Sequence, residues 1–134
     1  MQNAKAIYVE LLTYFRTRPN TLLIAITAPP VQDPTHAANA RAFNNWLVRD
    51  WLARYQGSNV AVFDFYNVLT GAGNHHRFHN GAIEYITDRG RNTLQYPTNG
   101  DDHPSPAGNQ KATRELVPLL NVHYNRWQRD TPTA

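Results

Sequence analysis

The chain has 134 residues and a mass of 15.3 kDa, which leaves room for one domain with a modest hydrophobic core. Hydrophobic residues make up 41% and aromatic residues 11% of the sequence, which excludes a disordered chain. The formal net charge is +3, but the arginines are scattered, so nucleic-acid binding gains little support. The lack of cysteine excludes disulfides, thiolate nucleophiles and cysteine-based zinc sites.

The sequence predicts neither an export signal nor a membrane span. Its N-terminus leads into an amphipathic pattern, and no apolar run approaches the length needed to cross a bilayer. No phosphate-binding loop or dinucleotide fingerprint occurs, which disfavours nucleotide binding. We therefore expect a soluble single domain over residues 1–134, with no membrane or nucleic-acid partner and with the compartment left open.

A helix and a strand are predicted first. Residues 4–17 have the apolar spacing of one helical face, which consists of Ile7, Tyr8, Leu11, Leu12 and Phe15. Asn3 is the predicted cap of this helix, and Pro19 ends it. Residues 21–27 form a short unbroken apolar run, which is typical of a central parallel strand buried on both faces.

A long helix and a second strand follow. Asp33 is a predicted N-cap with Pro34 in the first turn, and the helix is expected to continue to about Tyr55. Its apolar stripe consists of Ala40, Phe43, Leu47 and Trp51. Residues 60–66 are a predicted buried strand, so strand, helix and strand make a right-handed parallel crossover in an α/β fold. Asp64 in this strand is interpreted as a bonding partner of backbone donors, outside the site.

Hydrophobic periodicity disappears over residues 70–102, where glycines and asparagines are frequent. A loop of this length in a compact domain usually has a function. Ser105 is the predicted N-cap, and Pro106 the first residue, of a closing helix that extends to about Trp127. Pro118 lies inside this helix and is expected to kink or split it. The expected apolar side consists of Ala112, Leu116, Leu120, His123 and Trp127.

The segment before this helix is the most chemically distinctive part of the chain. Two carboxylates, Asp101 and Asp102, directly precede His103. The cap at Ser105 holds the backbone in place, and a neighbouring aspartate can orient the imidazole ring or stabilise its protonated form. Because the two aspartates are adjacent, only one of them can face the ring comfortably. This arrangement suits a general base, and His103 is the candidate.

Three histidines in the loop, His75, His76 and His79, form a second candidate cluster, with Glu84 and Asp88 downstream as possible oxygen ligands. Imidazoles that are close in sequence can bind zinc. However, two of these histidines are adjacent, which rarely aims both rings at one point, and Arg77 opposes a cation. We therefore expect loop hydrogen bonds or substrate contacts here, and no metal.

The segment from Asp101 to Gly108 resembles the last conserved block of the SGNH (GDSL-type) hydrolases. That block has a carboxylate shortly before a His, then Pro, a small residue and a Gly that opens the C-terminal helix. In the family the His is the general base for a Ser nucleophile, and an Asp, usually three residues earlier, steadies it. Here Gly100 occupies that earlier position, so the resemblance implies His103 with Asp101 and Asp102 as catalytic residues.

The resemblance also implies a fold, namely the C-terminal portion of a three-layer α/β/α, flavodoxin-like sandwich with parallel strands. Two predicted strands are too few for such a sheet. The family's Gly-Asp-Ser and Gly-x-Asn-Asp blocks do not occur in the sequence. Ser58 lies in a predicted turn and Ser105 is a predicted cap, so neither is expected to be the nucleophile. The nucleophile is expected to come from another segment or chain.

The activity implied by the resemblance is ester hydrolysis without a metal or organic cofactor. SGNH enzymes act on acyl groups of lipids, carbohydrates and small esters, and the polar residues of the 70–102 loop mildly favour an acylated carbohydrate. The alternative is a non-catalytic α/β association module. Its exposed strand edge and apolar faces would pair with a second copy or with a missing N-terminal half.

Overall fold

The computed structural model describes residues 1–87, 91–98 and 100–131 and shows a mixed α/β fold with two small sheets. The elements in chain order are α1 (Gln2–Arg16), β1 (Leu23–Ile26), α2 (Ala37–Trp46) with a π-helical turn (Leu47–Trp51), β2 (Val60–Phe63), α3 (Phe65–Leu69), β3 (His75–His79), β4 (Ala82–Ile86) and α4 (Pro106–Asp130). The α/β prediction is confirmed. No helix in the described ranges has the length and apolar character needed to cross a bilayer.

The strands β1 and β2 pair in parallel, as predicted, from Leu23 opposite Val60 to Ile26 opposite Phe63. All of β2 is buried, whereas β1 is half-buried and its Ile26 is 53% exposed. The prediction of a central strand buried on both faces is therefore wrong for β1. Within the described residues β1 has a strand neighbour on one side only, so its other edge is open.

Helices cover both faces of this parallel pair. On one face Val62 packs with Leu47 and Trp51, and on the other Phe63 packs with Leu119 of α4. The alternation of side chains along a strand separates the two clusters. The helix α1 joins the first cluster through Tyr8, Leu11, Leu12 and Phe15.

The start of α1 differs from the prediction. The helix begins at Gln2 with Met1 as its N-cap, so Asn3 lies inside the first turn and does not cap it. Ile7 was expected in the apolar face but is 60% exposed. The side of α1 that meets the sheet is centred one residue further on, at Tyr8.

The start and the end of α2 also differ. Asp33 does not cap the helix, because its Oδ1 accepts the Thr35 N–H at 2.8 Å in a turn and α2 begins later, at Ala37. The π-helical turn ends at Trp51, before the predicted end at Tyr55. The predicted stripe is largely correct, since the residues at its C-terminal end, Leu47 and Trp51, are buried.

The strand predicted over residues 60–66 is too long. Asp64 caps the short helix α3 by accepting the Asn67 N–H at 3.0 Å. The two aromatic residues that follow, Phe65 and Tyr66, therefore belong to α3, although their side chains suit a strand equally well.

The loop predicted over residues 70–102 contains a β-hairpin. The strands β3 and β4 pair antiparallel from His75 opposite Ile86 to His79 opposite Ala82. Asn80 and Gly81 form the turn with φ of 50° and 81°. Asn-Gly is a strong hairpin signal, but β3 is mostly polar and lacks the apolar alternation that predicts a strand.

The helix α4 begins as predicted, with Ser105 as N-cap and Pro106 at the first position. Pro118 does not split it, because the helix continues to Asp130. The carbonyl of Arg114 loses its helical donor at Pro118, but both residues are exposed, so water can replace the bond. Its buried residues are Gly108, Ala112, Glu115 and Leu119, and the expected Leu120 is 38% exposed.

Candidate functional site

His103 and Asp101 form a hydrogen-bonded pair in the loop before α4. Nδ1 of His103 lies 3.0 Å from Asp101 Oδ2, and the His103 backbone N–H donates to Asp101 Oδ1 at 2.8 Å. The imidazole is 85% exposed, and its Nε2 has no hydrogen bond to another described residue. With the proton on Nδ1, the lone pair of Nε2 faces solvent, as a general base requires.

The Asp101 carboxylate is ionised well below neutral pH. The Thr98 hydroxyl donates to its Oδ1 at 2.5 Å, in addition to the two contacts from His103. These hydrogen bonds, the one from Thr98 first, lower the pKa of Asp101 from 3.8 to about 2. Asp101 can therefore accept a hydrogen bond from the Nδ1–H of His103 across the neutral range while it stays ionised.

Asp102 has a different role from Asp101. Its Oδ1 accepts the backbone N–H of Gln32 at 2.9 Å, and the Gln32 side chain donates to the Asp101 carbonyl at 2.9 Å. Gln32 lies in the loop that follows β1. Of the two candidate aspartates, Asp101 contacts the His103 ring, and Asp102 ties the loop to the carboxyl end of the parallel strands.

Backbone hydrogen bonds hold the same loop from the other side. The Ser105 N–H donates to the Tyr96 carbonyl at 2.7 Å, and the Thr98 N–H donates to the His103 carbonyl at 3.2 Å. The Leu94 N–H in turn donates to the Val31 carbonyl at 3.0 Å. The segment that carries His103 is therefore anchored to the loop after β1 although its tip is exposed.

The packing of Gly108 sets how closely α4 approaches this segment. A Cβ atom at Gly108 would lie 2.8 Å from Cβ of Tyr96 and 3.1 Å from Cδ2 of Leu69. Only glycine fits that approach without a shift of its neighbours. The glycine that opens the helix is thus explained by packing beside the site.

The carboxylate of Asp64 is buried at the carboxyl end of β2. Its Oδ1 accepts from the Thr27 hydroxyl at 2.9 Å and from the Asn67 N–H, and its Oδ2 accepts from the Tyr85 hydroxyl at 2.6 Å. Burial first, and the Asp64 charge second, raise the pKa of Tyr85. The Asp64 N–H donates to His76 Nδ1 at 2.8 Å. Asp64 therefore joins β1, α3 and the hairpin, and only one of these three carboxylate donors, the Asn67 N–H, is the backbone donor that was predicted.

The three loop histidines do not converge on one point. His75 Nδ1 lies 2.7 Å from Oε1 of the buried Glu115, and Glu115 Oε2 accepts the His76 N–H at 2.9 Å. His79 pairs with Glu84 at 3.0 Å on the hairpin surface. In the described parts of the chain, no group of three or more His, Cys, Asp or Glu side chains could hold a metal, and the candidate Asp88 lies outside the described residues. These histidines bind the hairpin to α4 and to itself.

A cleft of about 310 Å³ opens beside the end of β1, and sequence analysis did not predict it. Its walls come from the loop after β1, one face of α2, Tyr8 of α1 and Tyr66 of α3. Asp33 and His36 lie at its polar side, and His103 is not among its lining residues. These segments are distant in sequence and meet only in the folded chain, so no local sequence pattern predicts the cleft.

The geometry defines a class of site: an exposed imidazole oriented by an ionised carboxylate at the carboxyl end of parallel strands. No family model, curated protein or solved structure matches the chain. The functional interpretation therefore depends on the contacts of His103 and Asp101 and on the resemblance of their segment.

Proposed function

We propose that this chain is the C-terminal part of a serine ester hydrolase of the SGNH type, in which His103 is the general base. The observation that carries the proposal is the 3.0 Å contact between His103 Nδ1 and Asp101 Oδ2. The Asp102–Gln32 bond attaches the loop that carries this contact to the loop that follows β1, and active sites of open parallel sheets are built from loops at the carboxyl ends of their strands. In this proposal the two parallel strands belong to a larger three-layer α/β/α sandwich.

The mechanism needs a serine from a segment or chain outside this sequence. As the serine oxygen bonds to the ester carbonyl carbon, Nε2 of His103 takes the hydroxyl proton and then delivers it to the departing alcohol. The same nitrogen next deprotonates a water that attacks the acyl carbon. It then returns that proton to the serine oxygen as the acyl–serine bond breaks and the acid leaves. Asp101 remains ionised and stabilises the imidazolium. These steps use no metal or organic cofactor.

The proposed substrate class is a carboxylic ester. A preference for an acylated carbohydrate would depend on the polar composition of residues 70–102, and the structure offers it little support. His75 and His76 in this stretch bond to buried groups of the protein, which removes them as sugar ligands.

The proposal is tested by supplying the missing serine in a fusion protein and measuring ester hydrolysis. The chain is fused behind a segment that carries the Gly-Asp-Ser and Gly-x-Asn-Asp blocks, and hydrolysis of 4-nitrophenyl acetate is measured. We expect His103→Ala to lower kcat by about 10⁴-fold and Asp101→Asn by about 10²- to 10⁴-fold, as for other triads. Asp102→Asn should lower kcat by a smaller factor, since Asp102 contacts Gln32 and only holds the loop that carries His103. His79→Ala is the matched control and should retain activity.

Two results would contradict this assignment: full activity in the His103→Ala fusion, or a larger loss in Asp102→Asn than in Asp101→Asn. A second readout does not need turnover. The ¹⁵N shifts of the His103 ring should report the Nδ1–H tautomer in the unmodified chain and a shift toward the Nε2–H tautomer in Asp101→Asn.

The second candidate function is an association module. The open edge of β1 and the exposed Ile26 on that strand favour it, since an unpaired edge is a template for another strand. Apolar residues are also exposed on the two flanking helices, namely Ile7, Val9 and Tyr14 on α1 and Val117, Leu120 and Tyr124 on α4. A partner on this edge and the missing serine-bearing segment can be the same molecule.

A further inference from the structure

We propose that the cleft beside β1 binds a small neutral molecule that has an apolar body and one carbonyl group. The inference does not depend on the hydrolase proposal, because His103 does not line the cleft. It is based on the shape of the cleft, on one buried side chain without a partner, and on the charges around it.

The cleft has the size and lining of a small-molecule site. Its volume of about 310 Å³ lies at the lower end of the range for such sites, roughly 300–1,000 Å³. Ala37, Ala40, Asn44 and Leu47 recur at helical spacing and form its α2 wall. The small side chains at positions 37 and 40 leave the space open. The facing wall is the apolar loop Ala28, Pro29, Pro30 and Val31.

Asn44 is the feature that points to a ligand. It is 6% exposed and lines the cleft, yet its side-chain amide has no hydrogen bond to another described residue. Among the described residues no fully buried side-chain nitrogen or oxygen lacks a partner, so the amide of Asn44 is reached by solvent through the cleft. The Thr27 hydroxyl, another polar group in the wall, is already engaged, since it donates to Asp64 and accepts the Tyr66 N–H. The amide of Asn44 is therefore free to donate to a ligand carbonyl.

The surrounding charges favour a neutral ligand. Arg41 is buried behind the cleft, but its guanidinium donates to Asn67 and Thr70, each at 2.6 Å, and so is not free for a ligand. Asp33 lines the cleft, and hydrogen bonds from Thr35 lower its pKa, so it is negative at neutral pH. A carboxylate would meet this charge, and no lysine or arginine is among the described lining residues to offset it, although the His36 imidazole also lines the cleft. A ketone or amide avoids the repulsion and can still accept from Asn44.

The test is a ¹H–¹⁵N NMR titration of the full 134-residue chain with hexan-2-one and, separately, with hexanoate at pH 7. We expect hexan-2-one to shift the amides of α2 and of the loop after β1, with a Kd on the order of 1 mM for so few atoms. Hexanoate should bind about tenfold more weakly because of Asp33. The proposal is overturned if hexan-2-one shifts none of these amides up to its solubility limit.

Two variants of α2 are a matched pair. Ala40→Phe fills the cleft and should weaken hexan-2-one binding by about tenfold or more, while Ala42→Phe, at an exposed position of the same helix, should leave it unchanged. If both variants bind hexan-2-one as the parent chain does, the cleft is not the site.

Asn44→Leu separates a ligand role from a structural one. It keeps the branched side chain of four heavy atoms, although leucine is larger, and it removes the amide. Hexan-2-one should therefore bind about tenfold more weakly, while toluene, which has no carbonyl and reports any loss of space, should bind at least as well. Unchanged hexan-2-one binding would overturn the role of Asn44. Because His103→Ala should bind hexan-2-one like the parent chain, failure of either proposal leaves the other intact.

Discussion

His76 shows how burial decides the protonation state of a single residue. Its ring is 4% exposed, stacks on Phe63 with 5.9 Å between centroids, and accepts the Asp64 N–H through Nδ1. Burial lowers the pKa of His76 from 6.5 to about 4, although the Asp64 carboxylate opposes the shift. The folded protein therefore holds this ring neutral at pH 7, with its proton on Nε2.

A pH dependence of stability follows from His76. As pH falls from 6.5 to about 4, the unfolded chain gains a proton on His76 that the folded chain does not, so the free energy of unfolding decreases. The expected decrease is on the order of 2–3 kcal/mol. Urea unfolding at pH 7.5 and 4.5 measures it.

Substitutions test whether His76 causes the pH dependence of the free energy of unfolding. His76→Phe should remove most of the dependence while lowering stability at pH 7.5, because the Asp64 N–H loses its acceptor. His79→Gln, at an exposed position of the same strand, should retain the full dependence. Burial also lowers the pKa of His123, and hydrogen bonds lower the pKa values of Glu84 and Asp101, so these groups should account for the remainder. An equally steep dependence in His76→Phe would contradict the assignment.

At the scale of elements, the contact of Gly108 with Tyr96 and Leu69 fixes how α4 meets the rest of the protein. Alanine is a better helix former than glycine by about 1 kcal/mol. We nevertheless expect Gly108→Ala to lower the free energy of unfolding by about 1–3 kcal/mol, because the added methyl group overlaps Tyr96. Urea unfolding would show this.

The control for that substitution lies two residues further along α4. Gln110 is exposed, so Gln110→Ala should change the free energy of unfolding by less than about 0.5 kcal/mol. If Gly108→Ala proves as stable as the parent chain, the close approach does not fix the position of α4. In that case the anchoring of the His103 loop would depend on its backbone bonds and on the Asp102–Gln32 bond alone.

Among the described residues each strand of the parallel pair has one edge without a strand neighbour, and the edge of β1, the less buried strand, predicts association. We expect the melting temperature of the chain to rise with protein concentration, since pairing at β1 stabilises the folded state by mass action. Ile26→Lys should abolish that rise by placing a charge on the edge strand. Phe78→Lys, on the exposed hairpin, is the control and should keep it.

Sedimentation velocity on the same samples provides the direct measurement. A species larger than the monomer should appear at high concentration in the parent chain and in Phe78→Lys but not in Ile26→Lys. If the chain is a monomer at all concentrations and its melting temperature is constant, the prediction of self-association is wrong. The open edge would then be available only to a different chain.

The local sequence was sufficient for the elements whose signals lie within a few residues. Ser105 and Pro106 predicted the start of α4, because a cap and a first-turn proline act on their own backbone. The apolar runs predicted the two parallel strands, because burial demands apolar side chains. His103 was identified as the candidate base from its neighbours alone, and this assignment remains a prediction.

The tertiary structure decided what depends on contacts between distant segments. The sequence left Asp101 and Asp102 equivalent, and the Gln32 N–H, seventy residues from Asp102, separates them by engaging Asp102. The cleft around Asn44 likewise exists because α1, α2, α3 and the loop after β1 meet. Propensity and capping act over one or two turns of chain, whereas side-chain partners and cavities depend on which surfaces the fold packs together.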